Sequence, residues 1–139
     1  MTGPVLVGVD GSKTATAAAL VAAQLARALE APLKVVCVYE EDHVEVVEVG
    51  SDVFRISSAA EAKRTAVEVA ETVASGVVVE AAALLGKPAD ALVAEAKHVG
   101  ASVIVVGNRR MQGASRVLGS IANSVSHHAP CDVYIVKTT

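Results

Sequence analysis

The sequence predicts an α/β fold, a three-layer sandwich in which a parallel sheet of five strands is covered by helices on both faces. Three observations predict it. Short apolar, β-branched runs alternate along the chain with longer stretches of helical periodicity. The strand runs are continuously apolar rather than alternating, the habit of strands buried on both faces of a parallel sheet. Strand–helix–strand units in succession wind right-handedly and lay helices on either side. The 139 residues show no internal repeat and no linker, so 1–139 is read as one domain large enough for a real core.

"PVLVGVD" (4–10) is the first buried strand. Residues 13–30 are Ala-rich, with Val21, Leu25 and Leu29 spaced as the apolar stripe of a helix that Pro32 stops. "LKVVCVYE" (33–40) is the second strand. Residues 41–56 carry Glu41, Asp42, Glu45, Glu48 and Asp52 and are expected to form a mobile or partly ordered loop. Within it "HVEVVEV" (43–49) alternates enough for a short edge strand or arm, and its place after the second strand would suit a lid. A second helix is expected to open at Ser58, where "SAAE" has capping-box spacing, with Ala62, Ala66, Val69 and Val73 inward. "GVVVEAAALLG" (76–86) is the third strand. "KPADALVAEAKHVG" (87–100) is the third helix, with Pro88 in its first turn and Gly100 at its C-terminal cap. "SVIVVGN" (102–108) is the fourth strand, and a glycine-punctuated loop leads to a fourth helix with Leu118, Ile121 and Val125 on one face. "CDVYIVK" (131–137), introduced by Pro130, is the fifth strand.

Composition narrows the function. Hydrophobic residues make up 53% of the chain and aromatics only 2%, so the core is built from Val, Leu, Ile and much Ala. The net charge is −3 with scattered basic residues, which argues against a nucleic-acid partner. No apolar run is long enough to cross a bilayer and no signal-peptide pattern opens the chain, so a cytoplasmic protein without membrane partners is expected. Cys37 and Cys131 have neither disulfide nor metal spacing and are read as reduced, buried thiols. His127 and His128 are adjacent, so on a helix they point about 100° apart and share an ion poorly. No metal site is assigned. No serine occupies a G-x-S-x-G elbow, so an enzyme is not expected.

"VGVDGSKT" (7–14) looks at first like a phosphate-binding P-loop. That motif requires glycines at 7 and 12, where the chain has Val7 and Ser12, and the reading is rejected. What remains is a strand ending at Asp10 and a turn into a helix that Ser12 can cap. Asp10 stands at the carboxyl edge of its strand, where open α/β sheets bind ligands, though a local turn carboxylate is the simpler reading. "GNRRMQGASRVLGS" (107–120) is the stronger signal. It joins a strand ending at Gly107 to a helix entered at Gly119 and Ser120, with Gly113, Arg109, Arg110 and Arg116 between. Glycines let backbone approach a ligand, and a helix N-terminus offers unpaired N–H groups to an anion.

"VGVDGS", "VGN", "LGS" and "SHHAPCDVYIV" together resemble the universal stress protein family over essentially the whole chain. The resemblance implies an adenine nucleotide alpha hydrolase-like sheet of order 3-2-1-4-5, a cytoplasmic homodimer and a nucleotide held for signalling or buffering, with at most slow, incidental ATP hydrolysis. ATP is the first expectation, with AMP or cyclic AMP as alternatives and Mg²⁺ as an optional companion of the phosphates. A nucleotide-free dimeric stress-response module is the competing function. Carried over, Gly8 and Asp10 would lie near the adenosine and Val38 would meet adenine through its backbone. Gly107, Asn108, Arg109, Arg110 and Gly113 would wrap ribose and phosphates, and Gly119, Ser120 and Ile121 would grip the phosphates. Val133, Tyr134, Ile135 and Val136 would form the dimer edge. The chain departs from the motif G-x2-G-x9-G-[ST] in two ways. Arg110 replaces the second glycine, and the spacing to Gly119 is one residue short.

Overall fold

The computed structural model describes residues 3–108 and 118–138. Five strands, β1 (Val5–Val9), β2 (Leu33–Tyr39), β5 (Val79–Leu85), β6 (Val103–Asn108) and β7 (Asp132–Lys137), form one parallel sheet in the order β5-β2-β1-β6-β7. Counted within the sheet, this is the expected order 3-2-1-4-5. Helices α1 (Lys13–Leu29) and α2 (Ser58–Val73) cover one face, and α3 (Pro88–Val99) and α4 (Ser120–His128) the other.

Period-two geometry divides the core between the two faces. Val5, Val7 and Val9 of β1 join Val35, Val103 and Val105 beneath α1 and α2, whereas Leu6 joins Val36, Ile104 and Val106 beneath α3 and α4. The inward face of α1 corrects the expected stripe. Ala18, Ala19, Ala22, Ala23 and Ala26 are buried, while Val21, Leu25 and Leu29 are only partly so. Alanines let the helix axis lie close to the sheet, and the larger residues fill the margins. On α2 the buried set contains the expected Ala62, Ala66, Val69 and Val73.

Residues 41–56 also need correcting. They hold two strands rather than a loop, β3 (Val44–Val49) and β4 (Asp52–Ser57), paired as an antiparallel hairpin apart from the main sheet. The expected arm is therefore present, with a second strand beside it. Its turn includes Gly50 at φ 63, a left-handed conformation that glycine adopts without a Cβ clash. The hairpin base is tied to α2, where Ser58 N–H donates to His43 O at 3.0 Å. That helix is capped one residue earlier than expected, by Ser57, whose hydroxyl accepts from Ala60 N–H at 3.0 Å.

The third helix ends as expected, with Gly100 at φ 63 as its left-handed cap. On α4, Ala122 and Val125 are buried, but Ile121 is 44% exposed and does not belong to the inward face. Arg109, Arg110, Gly113 and Arg116 lie outside the described residues.

Candidate functional site

β1 is the strand at which the sheet order reverses. Its helix α1 leads to β2 on one side, and β6 pairs on the other. Connections leaving a sheet in opposite directions open a crevice at the carboxyl ends of the strands. The structure has a cleft of about 240 Å³ there, lined by Gly8, Asp10, Val38, Gly107 and Ile121 among others. Those five were all expected site residues. Asn108, Gly119 and Ser120 do not line the cleft; Asn108 follows the lining Gly107 and Ser120 precedes the lining Ile121, while Gly119 stands one residue further back.

The chain from β1 into α1 explains the first wall. Asp10 Oδ1 accepts from Ser12 N–H at 3.0 Å, and Ser12 Oγ accepts from Ala15 N–H at 3.1 Å. Ser12 thus caps α1, and Gly11 between them takes φ 85. Ser12 thereby satisfies one of the first-turn N–H groups of α1 from within the chain. Asp10 is exposed at the mouth, and its charge reaches inward: burial pushes the Cys37 thiol above its ordinary 9.0, and the Asp10 carboxylate adds to that rise.

The apolar floor was not foreseen. Pro88 and Leu92 of α3 and Val106 of β6 line the cleft. Gly8 carried the signal, because glycine inside a strand often marks a close approach. A Cβ at Gly8 would stand 3.1 Å from both Leu92 Cδ1 and Cδ2. Leu92 is 3% exposed and packed with Val36, Ala96 and Ile104, so it has little freedom to retreat. Gly8→Ala should therefore lower stability by about 1–3 kcal/mol through overpacking, measured by denaturant unfolding. Unchanged stability would show that α3 yields to the methyl group.

The far wall is the amino end of α4. Helices α1 and α2 begin with serine caps, whereas α4 begins with Gly119 at φ −63 and ψ 158 and has no side-chain cap. Gly119 N–H itself donates to Asn108 Oδ1 at 2.9 Å, which ties α4 to the end of β6. Among the described residues, the first-turn N–H groups beyond it have no side-chain acceptor, and they stand at the positive end of the helix dipole. An apolar floor, a carboxylate at one side and unspent backbone donors at the other suit an amphiphilic, anionic ligand.

Comparison with known proteins agrees with this geometry. The model of the universal stress protein family matches residues 1–137. The chain belongs to the universal stress protein family. It is 35% identical to universal stress protein Rv1636 of Mycobacterium tuberculosis over 142 residues, covering 97% of this chain and 96% of that protein. A match to universal stress protein Slr1101 of Synechocystis is 42% identical over 60 residues, 42% of this chain, and spans only 56% of that protein's length. Among solved structures, a universal stress protein in complex with cAMP superimposes with TM-score 0.75 at 28% identity, covering 99% of this chain and 98% of that one. A universal stress protein from Archaeoglobus fulgidus in complex with dAMP gives 0.71 at 28% identity, covering 97% and 98%.

Other constellations stay apart from the site. His127 and His128 have ring centroids 6.5 Å apart, edge to face, and His128 Nδ1–H donates to Ser124 O at 2.9 Å. Among the described residues, no group of three His, Cys, Asp or Glu side chains is placed to hold a metal ion. Cys37 is buried and Cys131 half-buried, both as free thiols. No helix among the described residues is long and apolar enough to cross a membrane.

Proposed function

We propose that this chain binds an adenine nucleotide in the cleft at the β1–β6 switch point, as a cytoplasmic homodimer that signals or buffers in stress. The observation that carries the reading is the pairing of an apolar cleft with the uncapped amino end of α4. Relatives of the same fold held in complexes with cAMP and dAMP support it. Pro88, Leu92 and Val106 would take the base face, Val38 backbone its polar edge, and Asp10 the ribose hydroxyls as an acceptor. Gly119, Ser120 and Ile121 would take phosphate oxygens through backbone N–H groups and the Ser120 hydroxyl. ATP is the ligand expected from the family motif, with Mg²⁺ accompanying its phosphates.

A second reading follows from the departures in that motif. On it, Arg110 in place of glycine and the shortened spacing to Gly119 would leave less room for a triphosphate, and both liganded neighbours are complexes with monophosphates. AMP or cyclic AMP is the ligand on that reading. No residue is assigned a catalytic role, and any hydrolysis of ATP is slow and incidental. The test is mass spectrometry of ligand released from purified, denatured protein, followed by calorimetric titration with ATP, AMP and cyclic AMP. Silence in both would leave the nucleotide-free interaction module.

The dimer reading rests on β7. It closes one edge of the sheet, pairs with β6 alone and leaves Tyr134 46% exposed. A bare apolar edge invites a second strand. Val133, Tyr134, Ile135 and Val136 would then meet their counterparts. Light scattering should give the mass of a dimer at micromolar concentration, and a monomer would remove this part of the proposal.

A further inference from the structure

The sheet has two edges, and β5 at the edge away from β7 pairs with β2 alone. Two bonds show which of its backbone groups look outward. Leu33 N–H donates to Val78 O at 2.8 Å, and Gly86 N–H donates to Tyr39 O at 3.0 Å. Residues 78, 80, 82, 84 and 86 therefore turn their backbone groups towards β2. Alternation along a strand turns those of Val79, Ala81, Ala83 and Leu85 outward. Alanine side chains at 81–83 are too small to hold another strand away, and Leu85 is 61% exposed. Such an edge is a template for pairing.

One side chain crosses it. Lys63, exposed on α2, donates from Nζ to Ala81 O, near the middle of the outward row. An incoming strand would need that same oxygen for its own N–H, and would have to displace a strongly hydrated ammonium. Among the described residues, no side chain is hydrogen-bonded to the backbone of β7, so the two edges differ.

We infer that the β5 edge is a contact surface for a second copy of this chain, held closed by Lys63. The edge is self-complementary. Paired antiparallel about Ala82, the outward groups of Ala81 meet those of Ala83, and those of Val79 meet those of Leu85. Alanine then stands opposite alanine, and Glu80 stands opposite Leu84 rather than its own copy. With Lys63 in place, the sheet extends only through β7 and assembly stops at the dimer. Without it, each dimer offers two β5 edges, and alternating β7 and β5 contacts string dimers into an open-ended fibre. The fibre rests on the dimer proposed above, whereas the closing of the β5 edge does not.

Light scattering of the full chain from micromolar concentration upwards tests this. The native protein should hold one mass throughout. Lys63→Met keeps an apolar stem without the ammonium, and its mass should grow several-fold or more with concentration. Ala81 N–H faces outward, so Ala81→Pro removes an edge donor but no bond to β2. Lys63→Met/Ala81→Pro should return to the native mass. Hydrogen exchange locates the contact: the amides of Ala81 and Ala83 should exchange fast in the native protein and slowly in assembled Lys63→Met. A Lys63→Met chain of native mass would overturn the closing role of Lys63. Growth with both amides still fast would overturn β5 as the contact, and slow exchange at both in the native protein would show an edge already covered. If the native protein is a monomer, the dimer proposal fails, and Lys63→Met should then stop at a dimer joined through β5. Should the double variant not fold, exchange in Lys63→Met decides the contact.

Discussion

Lys34→Met should destabilise the fold by about 3 kcal/mol, the low end for breaking a buried ion pair. Lys34 on β2 pairs with Glu95 on α3 at 2.5 Å, and their side chains are only 12% and 11% exposed. The more distant Glu80, at 3.6 Å and 72% exposed, adds little. Methionine fills most of the lysine volume, so the loss comes chiefly from the Glu95 carboxylate left half-buried without its cation. The double variant Lys34→Met/Glu95→Leu should recover to within about 1 kcal/mol of the native chain, because an apolar pair replaces an ionic one at small net cost. Urea unfolding of the three variants decides this, and a single variant as stable as the native chain would show that Glu95 simply turns to water.

The pair also predicts an alkaline response. Burial pulls the Lys34 ammonium towards neutrality, but the hydrogen bond and charge of Glu95, then Glu80, outweigh it and raise the group above its ordinary 10.5. A folded value above the unfolded one means that the contribution is complete below 10.5 and lost as pH rises through the raised value. Lys34→Met should be flatter than the native chain in that alkaline window. The function is linked to this pair through α3, which carries both Pro88 and Leu92 to the cleft.

The sheet was legible because its strands are short, mostly apolar runs, interrupted only by residues such as Lys34 on β2 and Glu80 on β5. The central β1 and β6 are buried on both faces. What escaped were places where side-chain size and local register compete with hydrophobicity. Val21, Leu25 and Leu29 outrank alanine on any hydrophobic scale, yet the close approach of α1 to β1 and β6 selects Ala18, Ala22 and Ala26 for the interface. Ser57 and Ser58 are neighbours with equal capping chemistry, and only the hairpin register, with Val44 opposite Ser57, decides between them. The acidic residues of 41–56 suggested a solvated loop. On the hairpin they alternate with valines, so that Val44, Val46, Val49, Val53 and Phe54 are exposed as well.

The candidate site divided in the same way. Gly8, Asp10 and Gly107, which line the cleft, could be placed from the chain alone, since strand ends at a switch point face one crevice. The apolar floor could not, because Leu92 reads as an ordinary inward residue of an amphipathic helix until Gly8 is seen opposite it. Asn108 was expected to wrap the ligand, but its bond to Gly119 depends on a contact across eleven residues that no local pattern announces.

Gly119→Val should abolish nucleotide binding to within detection, a loss of about a hundredfold or more, equivalent to roughly 3 kcal/mol. Gly119 has φ −63 and ψ 158, an extended conformation that valine adopts without strain, so the fold should survive. Valine is a poorer N-cap than glycine, which costs α4 a fraction of its stability but leaves the tie from Gly119 N–H to Asn108 in place. The large effect is at the helix mouth, where a branched side chain stands over the N–H groups of Ser120 and Ile121 and excludes a phosphate from them. Ser120→Ala removes one hydroxyl and should cost only about 1 kcal/mol, several-fold in affinity. Calorimetric titration with AMP and adenosine separates the causes, since a blocked phosphate site spares adenosine and a collapsed cleft does not. Unchanged AMP affinity in Gly119→Val would place the phosphate away from α4, and would leave Asp10 and the apolar floor as the whole of the site.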